Sequence, residues 1–175
     1  MKFTLKTLPV LFILVLGYSS CDELDELTEI DITEDFSTTI SVELDAESNL
    51  SWSENATIDI SINQEIADNL DLIQDVIINS LTYEINNVNG EGTTISEASI
   101  SFNGQSISVE NLDLVTADSN NTVFTIEDTS LLTSIGNALE NNPVITVGLS
   151  GTIDAVPASF DVIVTLDSTV TVDLL

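Results

Sequence analysis

From Phe36 onward, apolar and polar positions take turns along most of the chain. Phe36, Thr38, Ile40, Val42 and Leu44 alternate with Ser37, Thr39, Ser41, Glu43 and Asp45, the two-residue period of a strand with one buried face. Ile58, Ile60 and Ile62 continue in this style, as do Leu81, Tyr83 and Ile85. A short strand is predicted at 123–126. Near the end, Ile145, Val147, Leu149, Gly151 and Ile153 form one alternating run. In another, Phe160, Val162, Val164, Leu166, Val170 and Val172 share a face opposite Asp161, Thr165, Asp167, Thr169 and Asp173. The sharpest local signal is Asn103-Gly104, the preferred pair for a two-residue type I′ hairpin turn. Folding there sets Ile100 opposite Ile107 and Ala98 opposite Val109, with Phe102 on their face and Ser99, Ser101, Ser106 and Ser108 on the other. One oily face and one serine face predict a sheet that is wet on one side.

The period changes twice. Over 64–79, Ile66, Leu70, Ile73 and Ile77 recur at helical spacing with Asp68, Asp71 and Asp75 between them, so a helix is expected, capped by Ser61 or Asn63. Leu131, Leu132, Ile135, Ala138 and Leu139 predict a second helix, begun near Asp128 or Thr129 and stopped by Asn141-Asn142-Pro143. The expected fold is mainly β: an antiparallel β-sandwich of about eight strands with two short helices that cap its ends or bridge its sheets. A parallel α/β sheet would show continuous apolar runs instead of alternation. The order strand, helix, long strand over 57–88 echoes that over 122–153, a hint of duplication that any sandwich with two crossing helices would also give.

The N-terminus follows another rule. Lys2 and Lys6 precede an almost wholly apolar run, residues 8–16, and small residues then lead to Cys21. An apolar core of about 7–15 residues is too short to span a bilayer and suits a cleaved secretory signal. Cys21 is the only cysteine, so no intramolecular disulfide can form. The stretch Tyr18-Ser19-Ser20-Cys21 resembles the lipobox of bacterial lipoproteins, with Tyr18 where that family usually carries an aliphatic residue. The resemblance implies cleavage before Cys21 and acylation of its side chain. Asp22, Glu23, Asp25 and Glu26 follow, around Leu24. They read either as a solvated tether or as a run similar to the acidic surface-export signal of Bacteroidetes-type lipoproteins. The expected organisation is a signal peptide at 1–20, a lipidated acidic tether at 21–34 and the β-sandwich at 35–175.

Charge then narrows the function. Both lysines lie in the signal-like segment, so from Cys21 onward the chain carries all 30 acidic side chains and no lysine, arginine or histidine. Such a chain cannot neutralise phosphates, which excludes ordinary nucleic-acid binding. Anionic headgroups repel it, so membrane attachment is expected through lipid. Serine–histidine triads, imidazole zinc sites, lysine Schiff bases and arginine phosphate clamps are all removed. Carboxylates acting alone or with a hard cation survive. Thirty like charges favour solubility and oppose compaction, and salt screens them within about 8 Å at physiological strength. The hydrophobic content of 43% nevertheless suffices for a core.

Few residues suggest a site. Asp118 and Asn120, in Asp118-Ser119-Asn120-Asn121-Thr122, offer oxygens at alternating spacing as a calcium loop does, without the glycine and distal glutamate of an EF-hand. Residues 86–92 read as a turn with a weaker ion-loop pattern. Trp52, the single tryptophan, is expected to be a core or edge anchor. No catalytic or cofactor-binding residue stands out. The functional expectation is a non-catalytic, surface-exposed outer-membrane lipoprotein serving adhesion, binding or envelope structure. The rival expectations are a calcium-linked module for a glycan or protein partner, and a carboxylate-only hydrolase.

Overall fold

The computed structural model describes residues 29–174. The signal-like segment, Cys21 and the acidic run at 22–26 lie outside them.

Among the described residues eight strands form: β1 (Glu29–Leu44), β2 (Ser51–Asp59), β3 (Ile73–Gly90), β4 (Thr94–Phe102), β5 (Gln105–Asp113), β6 (Val123–Ile126), β7 (Val144–Ile153) and β8 (Ala158–Asp173). Three α-helices accompany them: α1 (Gln64–Asp68), α2 (Leu114–Ser119) and α3 (Thr129–Asn141). The strands make two four-stranded antiparallel sheets, in the orders β1-β8-β3-β6 and β2-β7-β4-β5. The β-sandwich is therefore present, and its strand order is specific. First pairs with last, second with seventh, third with sixth and fourth with fifth, which is the jelly-roll winding of two Greek keys.

Alternation decides the faces. Along β8 every second side chain from Phe160 to Val172 is buried, and the inward set includes Ser168. β1 matches it with buried Ile32, Phe36, Ile40 and Val42. The hairpin at Asn103-Gly104 forms as the sequence predicts. Both residues have positive φ, 46° and 88°, and Ile100 pairs with Ile107 and Ala98 with Val109.

The sheets differ in length. β1, β8 and β3 run 16, 16 and 18 residues, whereas the strands of the β2-β7-β4-β5 sheet run 9 or 10. The short sheet covers only part of the long one. At the apical end, Leu44 and Gly90 both pair with Ala158. At the basal end, Ile30 and Ile73 both pair with Val172. Helix α3 packs on the basal half of β3, burying Leu131, Ile135 and Leu139. Its Gly136 lies so close that an added Cβ would fall 2.1 Å from the Val76 carbonyl oxygen. The second predicted helix thus appears with its expected bounds, and the Asp128 carboxylate caps it by accepting from Ser130 N (2.9 Å) and Leu131 N (3.1 Å).

Four expectations are corrected. The helix predicted over 64–79 stops at Asp68, passes through a 3-10 turn at Leu70–Leu72 and becomes β3 at Ile73. Its predicted cap at Asn63 does form, accepting from Glu65 N and Ile66 N. Beyond it, Val76, Ile78, Leu81, Tyr83 and Ile85 gain more by pairing with β8 and filling the core than a helix with no basic residue in its last turn can offer. Ile60 and Ile62 lie in a 3-10 turn after β2, not in the strand, so Ile60 is buried while Ile62 is 72% exposed. Helix α2 was not expected: Asp113 caps it through Thr116 N at 2.8 Å and it buries Leu114 and Ala117. The folded domain also begins earlier than position 35, because Glu29 to Glu34 pair with Asp173 to Ser168 as the start of β1.

Candidate functional site

Three connections meet at the apical end: residues 45–50 after β1, 91–93 after β3 and 154–157 after β7. Asp154 ties two of them together. Its carboxylate accepts from Thr93 N (2.8 Å) and Thr94 N (3.0 Å), while its own N–H donates to the Thr94 carbonyl (3.0 Å). The Thr94 N–H, then that of Thr93, holds this carboxyl below the usual carboxylate range. The Pro157 carbonyl accepts from Glu91 N at 2.7 Å. The turn approaches so closely that a Cβ on Gly90 (φ +107°) would sit 2.3 Å from the Pro157 carbonyl oxygen. Beside this knot lies a shallow concavity of about 510 Å³, lined by Glu43, Leu44, Asp45, Asn89, Gly90, Pro157, Ala158 and Ser159.

A second concavity, about 410 Å³, lies on the short sheet. Its lining follows from register. Ser51, Thr152, Glu97 and Glu110 form one cross-strand row, and Ser150, Ser99 and Ser108 form another. Small hydroxyl side chains leave a trough, and Glu97 and Glu110 stand directly opposite each other across it. Asp35 and Asp167 make a similar facing pair on the long sheet. Opposed like charges weaken a ladder.

Elsewhere on the long sheet's outer face, carboxylates bond to neighbours. Asp161 accepts from Ser41 Oγ (2.6 Å) and Asn87 Nδ2 (2.7 Å), and these two bonds lower its pKa, the serine contributing more. Asp31 accepts from Thr171 Oγ1 at 2.7 Å. Asp167 accepts from Asn79 Nδ2 at 3.1 Å. Neither Asp154 nor Asp161 announces its partners in the sequence, because Thr93 and Asn87 approach only through the sheet topology.

The calcium-loop candidates have other work. Residues 118–122 are the end of α2 and its exit, not an open loop. Asp118 Oδ2 accepts from Val88 N at 3.0 Å, fastening α2 to β3. Asn120 is the C-cap of α2, its N–H directed to the Thr116 and Asp118 carbonyls. Residues 86–90 form the bulged end of β3, where Asn87 adopts φ 59° to reach Asp161, and 91–92 begin the connection after it. Among the described residues, no group of three or more Asp, Glu, Cys or His is placed to hold a metal ion.

Trp52 is an anchor of the core. It is 7% exposed and meets Phe160 edge to face, with ring centroids 5.5 Å apart. Its Nε1 is buried with no hydrogen-bond partner among the described residues, as is Ser168 Oγ. The ring lies over Gly151, whose missing side chain gives it room: a Cβ there would meet Trp52 Cζ2 at 2.8 Å. Tyr83 stacks on Phe124 with centroids 4.8 Å apart, and burial raises its pKa.

No family model and no curated protein matches the chain. Among solved structures, a chain of Desmodium yellow mottle tymovirus is similar over 83% of this chain and 90% of its own, at 11% identity and a TM-score of 0.29. No described helix is long and apolar enough to cross a membrane.

Proposed function

We propose that this chain is a non-catalytic lipoprotein, cut before Cys21 and held by acyl chains on that cysteine to the outer membrane. Its acidic jelly roll faces outward and serves adhesion, binding or envelope structure. The observation that carries this reading is the N-terminal order of charge, apolar run, small residues and lone cysteine, eight residues ahead of the first strand. Two or three acyl chains suffice for stable anchoring, at about 0.8 kcal/mol per buried methylene. The composition supports a binding or structural role, since from Cys21 onward there is no histidine, lysine or arginine with which to build most catalytic sites. The paired strands and short turns offer two shallow concavities whose polar lining is hydroxyls, amides and carboxylates, a surface suited to a cationic or hydroxyl-rich partner.

Acylation of the N-terminal peptide, read by mass spectrometry in cells making the wild type or Cys21→Ser, tests the anchor. The wild-type peptide carries the added acyl mass and the variant is released unmodified. A wild-type peptide without lipid ends the reading. Surface display is tested by proteinase K on intact cells, because trypsin finds no Lys or Arg after Cys21. Neutralising Asp22, Glu23, Asp25 and Glu26 reduces digestion if that run directs export.

A further inference from the structure

The basal end of the domain carries a group of exposed apolar side chains. Ile30 (39% exposed) sits at the end of the row Ile30–Val172–Ile73, and Leu70 and Leu72 (37% each) fill the 3-10 turn that leads into Ile73. Leu174 (46%) follows β8 two residues past Val172. These four lie within three residues of one cross-strand row, and three strand ends bring them together.

Covalent geometry bounds where this end can be. The eight peptide units from Cys21 to Glu29 reach no more than about 29 Å even fully extended. β1 alone, at its strand rise, is about 53 Å long. A domain held by Cys21 therefore keeps its basal end near the bilayer when it stands upright, with the Asp154 turns at the far end.

We infer that the basal end docks on a lipid surface, with Ile30, Leu70, Leu72 and Leu174 entering the headgroup boundary. This rests on the lipoprotein reading above. The headgroups that suit it are zwitterionic and carry an outer ammonium, as phosphatidylethanolamine does. Glu29, Asp71 and Asp75 stand among the four apolar residues on the same strand ends and turn, where they pair with ammonium groups and repel an anionic surface. The jelly roll is thereby held upright, presenting its apical turns outward.

The test uses the full-length lipidated protein in phosphatidylethanolamine–phosphatidylcholine vesicles that carry a nitroxide just below the headgroup. A polarity-sensitive fluorophore is placed on an introduced cysteine, Leu70→Cys at the basal end or Asn49→Cys at the apical end. The label at position 70 is expected to shift to the blue and lose most of its emission to the nitroxide, with the label at 49 unchanged. Replacing the zwitterionic lipid by phosphatidylglycerol should restore the emission at 70. A label at position 62, with Leu70→Ser and Leu72→Ser, should be quenched less than in the parent, at unchanged thermal unfolding. Equal emission at 70 and 49 overturns the docking, and so does energy transfer between copies labelled at 70 in place of quenching, which marks the patch as a self-association surface. Persistent quenching in phosphatidylglycerol overturns the headgroup assignment. Co-flotation with vesicles and the acyl mass of Cys21 are read in the same samples, so loss of the anchor is told apart from loss of the docking.

Discussion

The inner face of the long sheet is covered in two ways. Over its apical half lies the short sheet, and the contact is made by alternating side chains, with Trp52 meeting Phe160 and Leu149, Ile100 and Phe102 filling the layer. Over its basal half lies α3, and there the fit is set by backbone: α3 comes within a methyl group's distance of the Val76 carbonyl because Gly136 has no side chain. Side chains can repack, whereas a helix pressed against a carbonyl cannot yield without moving bodily. The two halves should therefore tolerate added volume differently.

Gly136→Ala breaks the tighter half and carries the largest expected effect. It should cost about 3 kcal/mol, at the upper end of ordinary overpacking, read as a lower urea midpoint at constant slope. Gly151→Ala probes the other half. The new Cβ meets Trp52 Cζ2 at 2.8 Å and the Glu97 carbonyl oxygen at 2.9 Å. Because the shortest of these contacts is to a side chain, which can shift where backbone cannot, the loss should be about 2 kcal/mol, accompanied by a changed near-ultraviolet tryptophan signal. Equal losses at the two glycines would dissolve the distinction between backbone-set and side-chain-set packing.

Smaller changes sharpen the comparison. Asp128→Ala leaves Ser130 N and Leu131 N without their acceptor at the start of α3, and should lower stability by about 1 kcal/mol in the same denaturant assay. Asp154→Ala acts at the apical turns. Its pKa is lowered in the fold, so its contribution is complete above the unfolded carboxylate value of about 3.9 and is lost as pH falls through the folded value. The gap in melting temperature between wild type and variant should thus be widest near neutral pH and close in acid. Glu97→Gln relieves the pair facing Glu110 and should raise stability by about 0.3 kcal/mol, a gain that fades in about 1 M salt, where screening reaches only about 3 Å.

What could be read beforehand follows a physical division. Strand faces were legible because burial imposes a strict period of two, and the turn at Asn103-Gly104 because its positive φ values demand those residues. Helix α3 was legible because cap, stripe and stop all agree over 129–141. The spacing of Ile66, Leu70, Ile73 and Ile77 misled because it fits a helix locally, while the decisive partner, β8, lies nearly 100 residues downstream. Helix α2 was masked by its polar ending, although Asp113 followed by Leu114 and Ala117 is a cap with a short apolar stripe. The strand order, and with it the apical knot around Asp154, depends on which distant strands pair, a choice that alternation leaves open. Neither concavity is marked in the sequence, since Ser, Thr and Gly at outward strand positions are ordinary.

The 16-residue pairing of β1 with β8 has a mechanical meaning. Its hydrogen bonds run across the strands, at right angles to a pull along them. Tension entering at Glu29 and resisted at the apical turns would load all the rungs together in shear, so none can give way alone. The same tension applied between Glu29 and Asp173, which face each other at one end, would peel the rungs apart singly. The fold is accordingly strong along the axis from Glu29 to its apical turns and weak across its base, a directional toughness set by strand pairing alone.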